Sequence, residues 1–172
     1  DRDEAAELRR MHELHGELGL ESEWLTAGAC RKLEPGLGTD AAGGYVAPGE
    51  AEVDPRRVLT VLRAACERAG VEIREGAVEA VRDDGSGRVA GVGLADGSAL
   101  AARRVLLATG VRLSELAPEG TAPVRPVKGE VVRLRARPGE QPCERIIASE
   151  RVYVVPRANG EVVVGATVED RG

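Results

Sequence analysis

The sequence has no excess of basic residues: 24 Lys and Arg stand against 29 Asp and Glu, a net charge of -5 and a pI near 5.3. Binding to nucleic-acid phosphates needs clustered positive charge in net excess, whereas here it is scattered, so a nucleic-acid partner is excluded. No run approaches the roughly 18 apolar residues of a membrane span, and DRDEAAELRR at the N-terminus is too charged for a signal peptide. A membrane partner is therefore not expected. Cysteine is scarce as well. Cys30, Cys66 and Cys143 are odd in number and far apart, with no C-x-x-C pair, which argues against a disulfide framework or a zinc site and for three reduced thiols. No Walker loop, H-E-x-x-H, G-x-S-x-G or pair of catalytic carboxylates occurs, so the residues alone identify neither a reaction nor a metal nor a catalytic side chain. What remains is a cytoplasmic enzyme or binding domain. Its 172 residues are enough for one ordinary domain or two incomplete ones.

The strongest local pattern present is residues 151–170, RVYVVPRANGEVVVGATVED, two β-rich runs joined across Asn159-Gly160. Asn-Gly suits a two-residue type I′ turn, in which both central residues take positive φ. Such a turn pairs Ala158 with Glu161, Arg157 with Val162, Val155 with Val164, Tyr153 with Ala166 and Arg151 with Val168. Tyr153, Ala166 and Val168 then share one face, which would serve as the floor of a small-molecule pocket or, more plainly, as a sheet face buried under a helix. Residues 123–137 alternate in the same manner and are expected to join this antiparallel sheet.

Residues 1–18 place Leu8, Met11, Leu14 and Leu18 on one side of an amphipathic helix ended by Gly19. His12 and His15 lie three apart on it, but no carboxylate or cysteine is spaced to complete a metal site, and they read as solvated surface histidines. Thr26 is placed to cap a second helix through Leu33, and residues 43–53 read as an irregular strand with a loop at Pro48-Gly49. Asp54-Pro55 opens a third helix with Val58, Val61, Leu62, Ala65 and Cys66 as its buried stripe and Gly70 as its stop. A short strand over 71–74 follows, then a meander over 77–82, 89–94 and 99–108. The last of these ends in Val105-Leu106-Leu107-Ala108-Thr109-Gly110, the pattern of a parallel strand buried on both faces. Gly85-Ser86-Gly87-Arg88-Val89-Ala90 has the letters of a dinucleotide loop, but a β-run follows it where a helix is required, so it reads as a hairpin turn. The chain opens without methionine inside a helical pattern and stops just after a strand, as an internal piece of a longer protein would.

Three segments in this order resemble the FAD-dependent D-amino acid oxidase and sarcosine oxidase superfamily, above all the glycine oxidase branch of thiamine biosynthesis. They are Gly43-Gly44 through Val53-Asp54-Pro55 and its helix, VLLATG at 105–110, and RPVKGEVVRL at 125–134 followed by VYVVPRANGEVVVGATVE at 152–169. The resemblance implies an α+β fold: an antiparallel substrate-domain sheet with flanking helices, plus part of an α/β, Rossmann-like FAD-binding domain. It assigns residues 1–51 and 114–172 to the substrate domain and 52–113 to the FAD-binding domain. Family members have a G-x-G-x-x-G loop ahead of the segment matched here and a carboxylate-gripping arginine after it.

Carried over residue by residue, the resemblance makes Val78 a backbone contact to the adenine of FAD and sets Ala108, Thr109 and Gly110 alongside the cofactor. It makes Tyr153 a substrate-binding residue and Val168 a variable pocket wall. Lys128, beside Gly129, reads as solvated or salt-bridged. Arg112, where an aromatic is usual, and Glu50, where Asp is common, depart from the family pattern and leave substrate preference open. The implied reaction oxidises glycine or a similar small amine to the imine and glyoxylate, with ammonia and hydrogen peroxide as the other products. Alternatives are a D-amino acid or sarcosine oxidase, a dehydrogenase, or a non-catalytic binding module. This stretch by itself is expected not to retain FAD, to be inactive, and to expose strand edges through which a homo-oligomer could form.

Overall fold

The computed structural model describes residues 2–118, 121 and 123–170. Asp1, Arg171 and Gly172, which the sequence expectations include at the two ends, lie outside the described residues. Along the chain run α1 (Arg2–Glu17), β1 (Glu23–Thr26), α2 (Ala27–Leu33), β2 (Gly43–Val46), α3 (Pro55–Arg68), β3 (Val78–Asp83), β4 (Val89–Leu94) and β5 (Ala99–Ala101). A 3-10 turn (Gly110–Arg112), α4 (Leu113–Leu116), β6 (Val131–Arg135), β7 (Ile147–Ala148), β8 (Tyr153–Pro156) and β9 (Glu161–Gly165) complete it. Two compact units result: Asp1–Asp54 with Lys128–Glu169, and Pro55–Val127 with Asp170–Gly172. No helix among the described residues is long and apolar enough to cross a membrane.

In the first unit α1 ends at Gly19, whose φ of +70 suits a residue without a Cβ. The helix packs against β2, which pairs antiparallel with β1, through a face that shares only Leu8 with the leucine stripe. Met11, Leu14 and Leu18 are 38, 42 and 64 % exposed, whereas His15 is only 8 % exposed. The histidines are therefore not surface groups. Leu8, His12 and His15 recur at i, i+4 and i+7, and this is the face that meets the aromatic rings of the β1–β2 pair. His15 stands edge-on to Tyr45 at 5.2 Å, and His12 stacks on Tyr45 at 6.0 Å with Nδ1 2.8 Å from Ser22 Oγ. Arg9 covers Trp24 from outside, 4.2 Å from the ring centre.

Thr26 caps α2 as expected, its hydroxyl accepting from the Ala29 amide at 3.3 Å. Just past that helix, Glu34 is 5 % exposed. Its carboxylate accepts from the Glu144 amide at 3.1 Å and from Arg145 at 3.2 Å, so a buried carboxylate joins the end of α2 to a segment 110 residues later. Burial, and then the nearby Glu34 charge, push the neighbouring Cys143 thiol up from its ordinary pKa.

The remaining strands of this unit form one antiparallel sheet in the order β6-β9-β8-β7, with Val162 and Val163 at its core. Its register differs from expectation by one residue. Tyr153 faces Gly165, Val154 faces Val164, Val155 faces Val163 and Pro156 faces Val162. The turn accounts for the slip. Gly160 takes a φ of +79 while Asn159, like every other described non-glycine residue, does not take positive φ. A type I′ turn is thereby ruled out, and the loop is the three-residue kind that closes with a glycine bulge. Arg157 N–H donates to Glu161 C=O at 2.8 Å across it, and Asn159 Oδ1 accepts from the Glu161 amide at 3.0 Å.

The β6 strand is also shorter than 123–137, since only Val131–Arg135 pair with β9 and Lys128 forms one isolated bridge to Glu169. Pro123 and Pro126 have no N–H to give to a ladder, which keeps the residues before that bridge out of the sheet. Beside the turn, the buried Arg157 lies 2.9 Å from Asp54, 2.8 Å from Glu161 and 3.4 Å from Glu52. One guanidinium thus holds the hairpin to the Glu52–Asp54 segment.

In the second unit the β3-β4-β5 meander forms with antiparallel pairing. The G-x-G-x-x-A letters fall at the β3–β4 hairpin, where Asp83 Oδ1 accepts from the Gly85 amide at 2.7 Å and Gly85 and Gly87 have φ of +86 and +82. Three other expectations fail in whole or in part. Val61 and Leu62 of α3 are 63 and 55 % exposed, and Val71 and Ile73, expected in a strand, are 51 and 42 % exposed and outside every sheet. Residues 102–109 likewise join no ladder, and Leu106 is 91 % exposed. An apolar run specifies a strand only when a neighbour completes its hydrogen bonds, and no described residue pairs with it.

The turn assignment predicts that Gly160→Ala lowers unfolding free energy by about 1 kcal/mol or more, the cost of a Cβ at positive φ, while Asn159→Ala costs less. Equal losses in denaturant titrations would instead restore the two-residue turn. Arg157→Ala should cost about 3–5 kcal/mol by leaving buried carboxylates facing one another, with Arg157→Lys intermediate.

Candidate functional site

The register places Tyr153 on β8 directly across from Gly165 on β9, and Gly165 in turn across from Val131 on β6. The phenol ring lies over Gly165: a Cβ built on that glycine would stand 2.7 Å from Tyr153 Cζ and Oη and 2.6 Å from Val131 Cγ1. The hydroxyl is half-buried, and among the described residues no group hydrogen-bonds to it. Gly129 extends the same thinly covered strip, its own missing Cβ only 3.1 Å from the Thr167 carbonyl. Tyr153 therefore presents an O–H without a hydrogen-bond partner among the described residues, above the backbone of Gly165 and beside Val131.

Val168, expected opposite Arg151, lies beyond the end of β9 and is 81 % exposed. The chain around it pairs again with the start of β6 after a one-residue offset: Thr167 Oγ1 accepts from the Glu130 amide at 2.9 Å, and Glu169 and Lys128 exchange backbone bonds at 2.8 and 2.9 Å. Lys128 is salt-bridged to Glu130 at 2.7 Å and half exposed.

The same unit has a cavity of about 630 Å³ lined by Leu8, Leu25, Leu33, Tyr45, Ile147 and Val152. Burial, and then the Glu50 charge, raise the Tyr45 hydroxyl above its ordinary pKa. Nothing in the sequence pattern marked this hollow, because its walls come from three distant segments. No group of three or more His, Cys, Asp or Glu suited to a metal ion occurs among the described residues.

In the second unit Val78 opens β3 opposite Leu94, next to a register irregularity between Val78 and Ala80. It lines a cleft of about 430 Å³ with Gly76, Leu94, Ala99 and Leu100, and Arg74, Asp96 and Ser98 add polar groups. The Ser98 side chain and amide hold the Asp96 carboxyl below its ordinary pKa, and this exposed aspartate closes the β4–β5 turn. Ala108 and Thr109 are exposed and lead into the 3-10 turn, Thr109 with φ -90 and ψ 7 and Gly110 with a φ of +56. α4, which follows directly, packs against β3. The strand that carries Val78 and the segment after Gly110 are thus neighbours. Arg112 is engaged with Glu115 through two or more hydrogen bonds of 2.6–3.0 Å.

Of the sequence-predicted residues, the structure brings Tyr153 onto a bare stretch of sheet and leaves Val168 off the ladder. Gly165 escaped the sequence reading. Its signal was a glycine directly after a run of three valines at the end of a strand, which marks a place where something approaches the backbone closely.

A family model described as FAD dependent oxidoreductase matches residues 1–172. The bifunctional protein ThiO/ThiG of Synechocystis is 37 % identical over 158 residues, covering 90 % of this chain and 24 % of that protein. The glycine oxidase of Geobacillus kaustophilus is 31 % identical over 169 residues, covering 96 % of this chain and 44 % of that protein. A crystal structure of glycine oxidase from Bacillus cereus superposes with a TM-score of 0.90 at 26 % identity, covering all of this chain and 47 % of that one. The chain thus spans between a quarter and half of the length of these relatives.

Proposed function

The chain belongs to the FAD-dependent oxidoreductase family, and on that premise we propose that it forms the substrate-facing part of an amino acid oxidase acting on glycine or a similar small amine, in thiamine biosynthesis. The observation that carries this is the Tyr153 hydroxyl, which has no hydrogen-bond partner among the described residues and stands over the backbone of Gly165. A donor in that setting suits a small carboxylate. In this reading the unit of Asp1–Asp54 and Lys128–Glu169 is the substrate domain, with Val168 at its pocket rim. The Pro55–Val127 unit offers backbone to the cofactor at Val78 and at Ala108, Thr109 and Gly110.

These residues fit FAD in part. The cleft beside Val78 and the bare backbone up to Gly110 suit the flat adenine and the approach of a cofactor. No strand, glycine loop and helix N-terminus in the order that cradles a pyrophosphate occurs among the described residues. FAD, when bound, would supply the two-electron acceptor that oxidation of an amine requires, with O₂ as the final oxidant. Tyr153 contributes by orienting the carboxylate, so that the α-carbon is held in one place. The reading includes a cytoplasmic location, where three free thiols would persist.

The test is peroxide release by the purified FAD-loaded enzyme on glycine, sarcosine and D-alanine. Preference for glycine is expected. A preference for sarcosine or D-alanine would move it to another branch, and no turnover of any would leave a binding module. Tyr153→Phe should raise KM by about five- to thirtyfold, the equivalent of roughly 1–2 kcal/mol for a hydrogen bond to a charged group. An unchanged KM would remove Tyr153 from the site.

A further inference from the structure

Resting on the reading of Tyr153 as the donor to the substrate carboxylate, we infer that Gly165 is the positioning residue for that hydroxyl. The glycines that end helices or close turns here, such as Gly19 and Gly160, have positive φ and are required by their backbone conformation. Gly165 is not among them. It is the last residue of β9, buried, and paired with Tyr153 on one side and Val131 on the other. Glycine in a paired strand costs stability, because it brings no side chain to pack and loses the most chain entropy on folding. What requires it here is space.

A Cβ at 165 would stand 2.6 Å from Val131 Cγ1 and would overlap Tyr153 at Cζ and Oη, both at 2.7 Å, separations that real Cβ atoms essentially never show. These two atoms are the far end of the side chain. The ring therefore crosses β9 instead of running along β8, and its hydroxyl stands between the strand it comes from and Val131. No hydrogen bond from a described residue fixes the hydroxyl, so contact with the bare glycine is what holds it over the strand. An aromatic ring laid across a cross-strand glycine repays the packing that the glycine omits, which couples the two residues energetically. Any side chain at 165 would push the ring off the strand and carry the hydroxyl with it.

The experiment is a double-mutant cycle with Gly165→Ala and Tyr153→Phe in the FAD-loaded enzyme. It reads the Kd of acetate, a carboxylate without an amine, from the flavin absorbance change, alongside KM and kcat for the preferred amino acid. Each single variant should raise acetate Kd and KM by about five- to thirtyfold. The double variant should be no weaker than the worse single one, since a displaced ring without its hydroxyl has nothing more to lose. Tyr153→Phe with effect but Gly165→Ala without effect, or fully additive losses, would overturn the role of Gly165 and leave that of Tyr153. Tyr153→Phe without effect would overturn both. If Gly165→Ala does not fold, the same change in a Val131→Ala, Tyr153→Leu background, which lacks Cγ1, Cζ and Oη, should fold as well as that background alone, whereas in Val131→Ala alone it should not. Failure of either expectation would show that the overlap is not with Tyr153 and overturn the inference.

Discussion

The positive φ of a single glycine, Gly160, decides the register of the β8–β9 hairpin, and through it which side chains meet across the sheet. With Gly160 alone in the left-handed region, the loop has three residues and Tyr153 falls opposite Gly165. Had Asn159 joined it, the loop would have two, and Tyr153 would face Ala166. Because side chains alternate with a period of two, that one-residue difference determines whether the phenol finds a glycine to lie on or a methyl group to avoid. β6 is keyed to the same register, since Val131 meets Gly165 from the other side.

Ion pairs then secure this hairpin to remote sequence. Arg157 sits at its turn end and gathers Glu52, Asp54 and Glu161, while Glu34 takes the Glu144 amide and Arg145. Buried charges of this kind are costly when broken and add little net stability when intact. Their effect is to fix which segments lie together, which a small β-sheet with few fully buried side chains does not do by hydrophobic packing alone.

Local signals in the sequence were reliable where the structure they specify is local. The Thr26 cap, the Asp54-Pro55 helix start, the Gly19 and Gly70 stops and the order of the β3-β4-β5 meander could all be read from adjacent residues. The readings that failed depended on a partner. Val105–Ala108 and residues 71–74 have strand composition without a ladder, and the α3 stripe is only half covered, with Val58, Ala65 and Cys66 half-buried but Val61 and Leu62 exposed. On α1, counting leucines chose the wrong face, because imidazoles can pack on Tyr45 and Trp24 as flat, weakly polar rings. The site was legible only in part. Tyr153 stood out, but Gly165 acquires meaning only from the residue across the ladder, and Asn-Gly admits two turn lengths that differ in that partner.

Tyr153 over Gly165 is the center of this account: one glycine sets the register, a second receives the ring, and the ring presents a donor to a small carboxylate. A crystal structure of the FAD-loaded enzyme with bound acetate tests it most directly. The account predicts the phenol ring across Gly165 and its oxygen about 2.5–3.0 Å from an acetate oxygen. A ring opposite Ala166, or an acetate bound away from Tyr153, would contradict it.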